Sequence, residues 1–512
     1  MKVKNILGTT LIVSCIAIVA KVIGFGREAI IAATFGATAA TDAYFLAQSM
    51  PAMVFPAVCS SISTAFLVIY VDKRIKSGEE FATRFASEAL VATLFVALVL
   101  SIIGFAIMPL VVPIFAPGFN ESTSRLTILL SRITMGSFIF TMLQYMLTSI
   151  LNARRFFYGP QVAGVLCSIF IITVTLLFGK NQTVEFLTWI VVGGLIIQIC
   201  FLLLMTVAKA GFTFKIGPIA NNEIWGMLRL AVPILLGNSV VQANTIVDKV
   251  LASGLTIGAV SALSYSNSLN SIVTSVFIVS LSTVLYPALV ESASKEDNSS
   301  FANNLMQNLQ MLFIIIAPIS LITAIYSSDV VTIVFQRGSF QSTATDLTSN
   351  ALTYYALGYA FIGIREIVIR GFYAIGDSKT PMYNGVLSVG LNIILSVILV
   401  SFMGIGGIAL ASTIAAVISA CAIIVSMTKK MPHISMRMIL PTFLKVMMAA
   451  SVTFIFLHQF SGSTTVTVPL IRFVSGTVAG FVVYGIILAL LDWRRAQYLI
   501  KMCISRVGHF NS

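Results

Sequence analysis

The chain is written in long apolar stretches, separated by short clusters of Gly, Pro, Asn and charged residues, from one end of its 512 residues to the other. Each stretch reaches the ~20 residues that an α-helix needs to cross a hydrocarbon core of roughly 30 Å. Helices are the expected element, because backbone polar groups in lipid must be satisfied within their own segment. With Gly, Pro and charge as punctuation, fourteen spans emerge, near 6–35, 40–71, 85–112, 124–151, 158–179, 185–208, 225–253, 257–290, 302–326, 345–374, 381–402, 405–428, 438–460 and 466–491. The pattern predicts an all-α polytopic membrane protein. An even number of spans places both termini on one side.

The opening MKVKNILGTTLIVSCIAIVAKV has the basic start and apolar run of a signal peptide, with Ala20 where a cleavage site could lie. The apolar pattern resumes at once, so this segment is read as a retained first span. Loops are short, and the two largest breaks, around 209–223 and 327–345, read as connectors. The first, AKAGFTFKIGPIANNEIW, divides the chain nearly in half. It predicts a lobe of six spans at 1–220, a second at 221–430, and a pair of extra spans with a tail at 431–512.

Internal similarity supports two lobes. ILNARRFFYGPQVAGVL, from Ile150, resembles GFYAIGDSKTPMYNGVL, from Gly371: Ala153 falls on Ala374, Pro160 on Pro381 and Gly164 on Gly385, always 221 apart (381 − 160). The same offset places Tyr44 on Tyr265, and with one residue of slack IFAPGFNES near 114 falls on VFQRGSFQS near 333. Six spans per copy give both copies the same orientation, related by an axis along the membrane normal. Transporters built this way bind their substrate between the lobes and expose it to each side by rocking.

Composition agrees with the span pattern: 58% of residues are hydrophobic and 10% charged, where a soluble domain has about a quarter charged. The net charge of +13 would suggest nucleic acid in a soluble protein. Here it follows the positive-inside rule instead. A cytoplasmic N-terminus puts Lys73, Arg74, Arg154, Arg155, Lys429, Lys430 and the tail cations Arg494, Arg495, Lys501 and Arg506 inside, and leaves Arg125, Arg132, Lys180 and Arg337 in or beside outer loops. No nucleic-acid partner is implied. The six cysteines show no CxxC spacing, there is no HExxH or GxSxG, and the histidines (His433, His458, His509) lie in or beside loops or the tail. Neither a metal site nor an enzyme is expected.

The chemistry that remains is fixed charge inside the spans, which costs about 2.5–3.5 kcal/mol at a helix centre and usually faces a cavity or a partner. Arg229, Lys445 and Arg472 lie near span ends, where long side chains snorkel. Asp248 with Lys249, and Arg365 with Glu366, are sequence neighbours that point about 100° apart on a helix, so each meets a partner on another helix or lines a cavity. Lys21 and Arg27 differ, because Gly24-Phe25-Gly26 between them can bend or unwind the helix and turn both cations into one cavity. Two convergent cations suit a dianionic group such as phosphate. The competing reading is that Arg27 pairs with Glu28 or Asp42 to hold the first two spans together.

These residues resemble those of a known family. KVIGFGREAIIAATFGATAATDAYFLAQSMP from Lys21, ILNARRFF at 150–157, AVPILLGNSVVQANTIVDKVLASGL at 231–255, VFQRGSFQSTATDLT at 334–348 and above all GFYAIGDSKTP at 371–381 are similar to the MurJ/MviN family, lipid II flippases of the multidrug/oligosaccharidyl-lipid/polysaccharide exporter superfamily. The likeness runs from about Lys21 to Lys430. It implies fourteen helices, with the last two forming a lipid-facing groove beside the second lobe. It also implies a central cationic cavity for the diphosphate and sugar headgroup of an undecaprenyl-linked peptidoglycan precursor, in the bacterial plasma membrane.

Carried over by position, the family's cavity cations match Lys21 and Arg27, and its acid matches Asp42; Glu28, Asp248, Arg365 and Glu366 are further candidates for the cavity or for coupling, and Gly24 and Gly26 for a hinge. Where the family commonly carries an Arg pair this chain has Phe55-Pro56, and it also departs at Ser60-Ser61 and at Ser266-Asn267-Ser268-Leu269. No cofactor is implied beyond coupling to the membrane potential or an ion gradient. Membrane lipids, the lipid-linked saccharide and, as a candidate, the cell-wall synthesis machinery are the partners. Another lipid-linked polysaccharide as cargo, a drug or cation antiporter, and a non-transporting envelope scaffold are the alternatives.

Overall fold

A computed structural model of the protein describes residues 3–209, 211–214, 222–295, 297–434, 440–463 and 468–491. Arg494, Arg495, Lys501 and Arg506 of the tail, and residues 215–221 of the central connector, lie outside the described residues. The described chain is helical, and the expected spans appear in order. The first half holds α1 (Val3–Phe35), α2 (Ala39–Lys76), α3 (Glu79–Phe115), α4 (Glu121–Gly136), α5 (Phe138–Ala153), α6 (Tyr158–Phe178) and α7 (Val184–Ala208). The second holds α8 (Asn222–Ser253), α9 (Ala259–Val273), a π-helical turn (Thr274–Val279), α10 (Ser280–Ser294), α11 (Asn298–Ile325), α12 (Ser327–Phe335), α13 (Ser342–Leu357), α14 (Tyr359–Ala374), α15 (Lys379–Met403) and α16 (Ile405–Lys430), followed by α17 (Leu440–Ser463) and α18 (Pro469–Leu491).

Eleven of these segments, with α13 and α14 as a twelfth pair bent by 46°, are long and apolar enough to cross a membrane. The protein is therefore a multi-pass helical membrane protein. The expected connector at 327–345 is in part helix, since α12 occupies its first nine residues.

The duplication is written into the helix boundaries. Helices α13, α14, α15 and α16 begin at 342, 359, 379 and 405, each 221 residues after α4, α5, α6 and α7 at 121, 138, 158 and 184. The fourth span of each copy breaks at the same place, Ser137 in the first and Gly358 in the second (358 − 137 = 221). A break inside a span frees backbone carbonyls that lipid cannot satisfy. Both copies meet the same carbonyl with a serine from the third span: Ser101 Oγ of α3 donates to Met135 O, and Ser320 Oγ of α11 to Ala356 O, again 221 apart (356 − 135). Thr413 Oγ1 of α16 adds a bond to Tyr354 O at 2.6 Å. A Cβ at Gly358 would lie 2.8 Å from Thr413 Oγ1 and would press on the hydroxyl that meets Tyr354 O.

By packing, the chain forms two compact units: Met1–Tyr265 with Arg337–Ala344, and Ser266–Gln336 with Thr345–Ser512. The division falls within α9 rather than at residue 220, because α8 and the start of α9 pack on the first half. In the first unit, Thr38 opens α2 with a reciprocal capping pair to Thr41. The carbonyls left over at the end of α1 are met from distant chain: Ser339 N donates to Ala33 O at 2.8 Å, Ser339 Oγ to Thr34 O at 2.9 Å and Tyr265 Oη to Gly36 O at 3.2 Å.

The core of the second unit gathers Phe301, Leu305, Leu312, Tyr359 and Phe372. Val446 of α17 and Tyr484 of α18 join it, and Tyr484 Oη donates to Ile314 O at 3.1 Å. Arg472 of α18, expected to snorkel, instead grips Asp329 of α12: its Nε lies 2.9 and 3.0 Å from the two carboxylate oxygens, and Nη2 adds a further bond. The partner was hidden in the sequence because Asp329 falls in the stretch read as a loop.

Candidate functional site

Six helices of the first unit, forming five spans, line a cavity of about 660 Å³, within the range of sites that bury a drug-sized ligand. Helix α1 supplies Lys21 and Arg27, and α2 supplies Gln48, Pro51, Phe55 and Pro56. The broken fourth span contributes Thr134, Ser137, Thr141 and Gln144, so the break exposes polar side chains to the cavity. Gln161, Cys167 and Ser168 come from α6 and Gln198 from α7. No acid lines this cavity among the described residues. It is a cationic site in a low-dielectric setting, where each charge acts more strongly than in water.

Lys21 and Arg27 share the cavity without any break in their helix. Helix α1 continues through Gly24-Phe25-Gly26, so the expected unwinding is absent from this conformation. Six residues along a regular helix place the two Cα atoms ~9 Å apart along the axis and about 120° apart around it; the reach of two long side chains brings both heads to one space. A Cβ at Gly24 or Gly26 would meet nothing within 4 Å, so close packing does not require glycine at either position.

Arg27 Nη2 also bonds Glu28 Oε1 at 2.8 Å. Internal pairing and a cavity position thus coexist for Arg27, and Glu28 serves as its counter-ion. Lys21 is exposed and makes no ion pair with another described residue.

Asp42 does not line the cavity. It is buried, at 3% exposure, and accepts from Gly258 N, Ser261 N and Ser261 Oγ, each at 2.7 Å. Its carboxylate caps the amino terminus of α9, where unpaired N–H groups and the helix dipole favour an anion. Its bonds clamp α2 to α9 and turn the carboxylate away from the cavity lining.

Asp248 is buried in α8 away from the cavity lining, while its neighbour Lys249 sends Nζ to Phe45 O at 3.2 Å. In the second unit, Arg365 Nε donates to Asn384 Oδ1 at 3.1 Å, Asn384 being fixed in turn by Ser419, and Glu366 accepts from Arg370 Nε at 3.1 Å. Lys249, Arg365 and Glu366 are thus committed to neighbours within their own unit.

The family follows from a comparison of the whole sequence. A profile described as lipid II flippase MurJ matches residues 31–475. The chain belongs to the MurJ family. Among MurJ relatives, the probable lipid II flippase MurJ of Buchnera aphidicola subsp. Baizongia pistaciae is 27% identical over 418 residues, covering 80% of this chain and 81% of its own. The lipid II flippase MurJ of Burkholderia cenocepacia is 28% identical over 390 residues, 74% and 75% of the two chains. A solved structure of a lipid II flippase MurJ in an inward closed conformation superposes with a TM-score of 0.80 at 25% identity, covering 94% of this chain and 98% of that one. An inward-facing multidrug-resistance MATE transporter shares the fold alone, with a TM-score of 0.69 at 12% identity over 81% of this chain and 95% of its own.

Against the MurJ expectations, Lys21 and Arg27 lie on the cavity. So do Phe55 and Pro56, which stand where the resemblance implies an Arg pair; the missing cations are missing from this cavity. Phe55 is held there by stacking on Phe138, ring centroids 3.8 Å apart. The glutamines of the lining carry no charge, so the cost of intramembrane charge does not single them out in the sequence.

Proposed function

We propose that this chain is a flippase that carries an undecaprenyl-diphosphate-linked saccharide, lipid II, from the inner to the outer leaflet of a bacterial plasma membrane by alternating access. The single observation that carries this reading is a cavity in a MurJ-family bundle that holds Lys21 and Arg27 and, among the described residues, no acid. The cations receive the diphosphate, the headgroup crosses through the protein, and the polyprenyl tail stays in lipid. With Phe55 and Pro56 in place of an Arg pair, the phosphate contact rests on these two side chains.

Both termini face the cytoplasm, on the asymmetry of Lys and Arg between loops. Transport involves no covalent catalysis and no bound cofactor; the membrane potential or an ion gradient drives it, and the cell-wall synthesis machinery uses the product. A cavity with two cations and, among the described residues, no acid speaks against a cation antiporter. The Phe55-Pro56 departure favours one second reading, another lipid-linked polysaccharide unit as cargo. Expression in cells depleted of their own lipid II flippase separates the two: restored growth is expected, and failure of a well-inserted protein to restore growth assigns the other cargo.

A further inference from the structure

Three glutamines of the cavity, Gln144 on α5, Gln161 on α6 and Gln198 on α7, have no hydrogen-bond partner among the described residues. Gln198 is 7% exposed, yet its amide atoms are not sealed away from open space. The remaining lining glutamine, Gln48, lies one helical turn after Tyr44 on α2. Carboxamides within a span are expensive to leave unmet. Three of them, from three helices, nevertheless converge uncommitted on the cavity that holds Lys21 and Arg27.

The chemistry of the amide limits what can satisfy it. Each carboxamide offers two N–H donors and an oxygen with two lone pairs. A phosphate only accepts, so it leaves all three amide oxygens unmet; an ammonium ion only donates, and the cavity cations repel it. Sugar hydroxyls and acetamido groups both donate and accept, which matches the amide on each side.

We infer that Gln144, Gln161 and Gln198 form a saccharide subsite, beside a phosphate subsite made by Lys21 and Arg27, so that the cavity selects for a sugar-bearing diphosphate lipid over the bare one. This inference rests on the proposed flippase function and assigns its specificity.

The test measures binding of purified protein in nanodiscs to three lipids: undecaprenyl diphosphate, the same lipid bearing the disaccharide, and lipid II with disaccharide and peptide. The unaltered protein is expected to prefer both sugar-bearing lipids. Gln144→Leu, Gln161→Leu and Gln198→Leu are each expected to reduce that preference by roughly three- to tenfold, the scale of a single hydrogen bond, with or without the peptide. The ratio is read within each variant, so a general loss of folded protein does not imitate it. Gln198→Asn, which keeps the amide but shortens its reach, provides a milder change and is expected to fall between Leu and the original residue.

An unchanged ratio in all four variants overturns the subsite. So does a change confined to the peptide-bearing lipid, which assigns the glutamines to the peptide. If the unaltered protein binds none of the three lipids, the flippase reading itself fails, and the subsite with it.

Discussion

The two copies of the repeat share helix starts to the residue over their last four helices, yet they treat charge differently. In the second unit the intramembrane charges are tied off: Arg365 to Asn384, Glu366 to Arg370, Arg472 to Asp329. In the first, Lys21 and Arg27 open onto a cavity, and three amides beside them have spare capacity. A shared backbone plan therefore says little about where the chemistry lies. The distinction is whether a polar group's bonding capacity is used up within the protein, since an uncommitted group in a span calls for a ligand.

The comparison breaks most sharply at Arg27. Arg27→Ala is expected to lower translocation of lipid-linked substrate in proteoliposomes by a hundredfold or more while the protein stays folded and inserted, and Lys21→Ala to act in the same direction. Translocation at the unaltered rate by Arg27→Ala would reduce the cavity cations to helix glue, like those of the second unit.

Next in size is the tied-off pair. Arg472→Leu leaves Asp329, at 6% side-chain exposure, without its charge partner; with Arg472 itself partly exposed, we expect a loss of about 1–3 kcal/mol in stability. A double-mutant cycle with Asp329→Asn measures the coupling, and a coupling near zero would remove the contrast from this side.

Smaller changes are expected at the glycines. With open space around both positions, Gly24→Ala and Gly26→Ala should each raise thermal stability by about 0.5–1 kcal/mol and leave translocation within twofold. A collapse of transport in a more stable protein would show that α1 must unwind during the cycle after all.

The smallest effect is at Asp377, in the loop before α15, where the Lys430 ammonium, followed by Thr380, holds the carboxyl well below its usual range. A lowered folded-state value adds stability above the unfolded carboxyl's pKa of about 4 and loses it as pH falls through the folded value. Asp377→Asn should therefore be slightly less stable than the parent at pH 7, with the gap narrowing below about pH 4 in thermal melts.

The fold was largely legible in the sequence because hydropathy and the 221-residue offset are both linear signals. Every apolar stretch became a helix. The breaks at Ser137 and Gly358 were not legible, since each lies inside a single expected span and is fixed by a hydroxyl from another helix. Asp42 shows the same limit at the site: its ligands are 216 and 219 residues away, and an acid beside cavity cations reads as a substrate contact until its bonds are counted. Gln144, Gln161 and Gln198 were visible as polar residues in apolar runs. Without charge, they do not stand out from the other polar residues of the spans.

The paired breaks also bear on how the two copies have diverged. Met135 and Ala356 occupy equivalent positions, and so do their donors: α11 begins 219 residues after α3 (298 − 79), and the same 219 residues separate Ser320 from Ser101. The offset reaches 221 only at α4 and α13, so the two residues gained by the second copy lie between its third and fourth spans, where it carries α12. The duplication has kept bend and donor together while the chain beside them changed length.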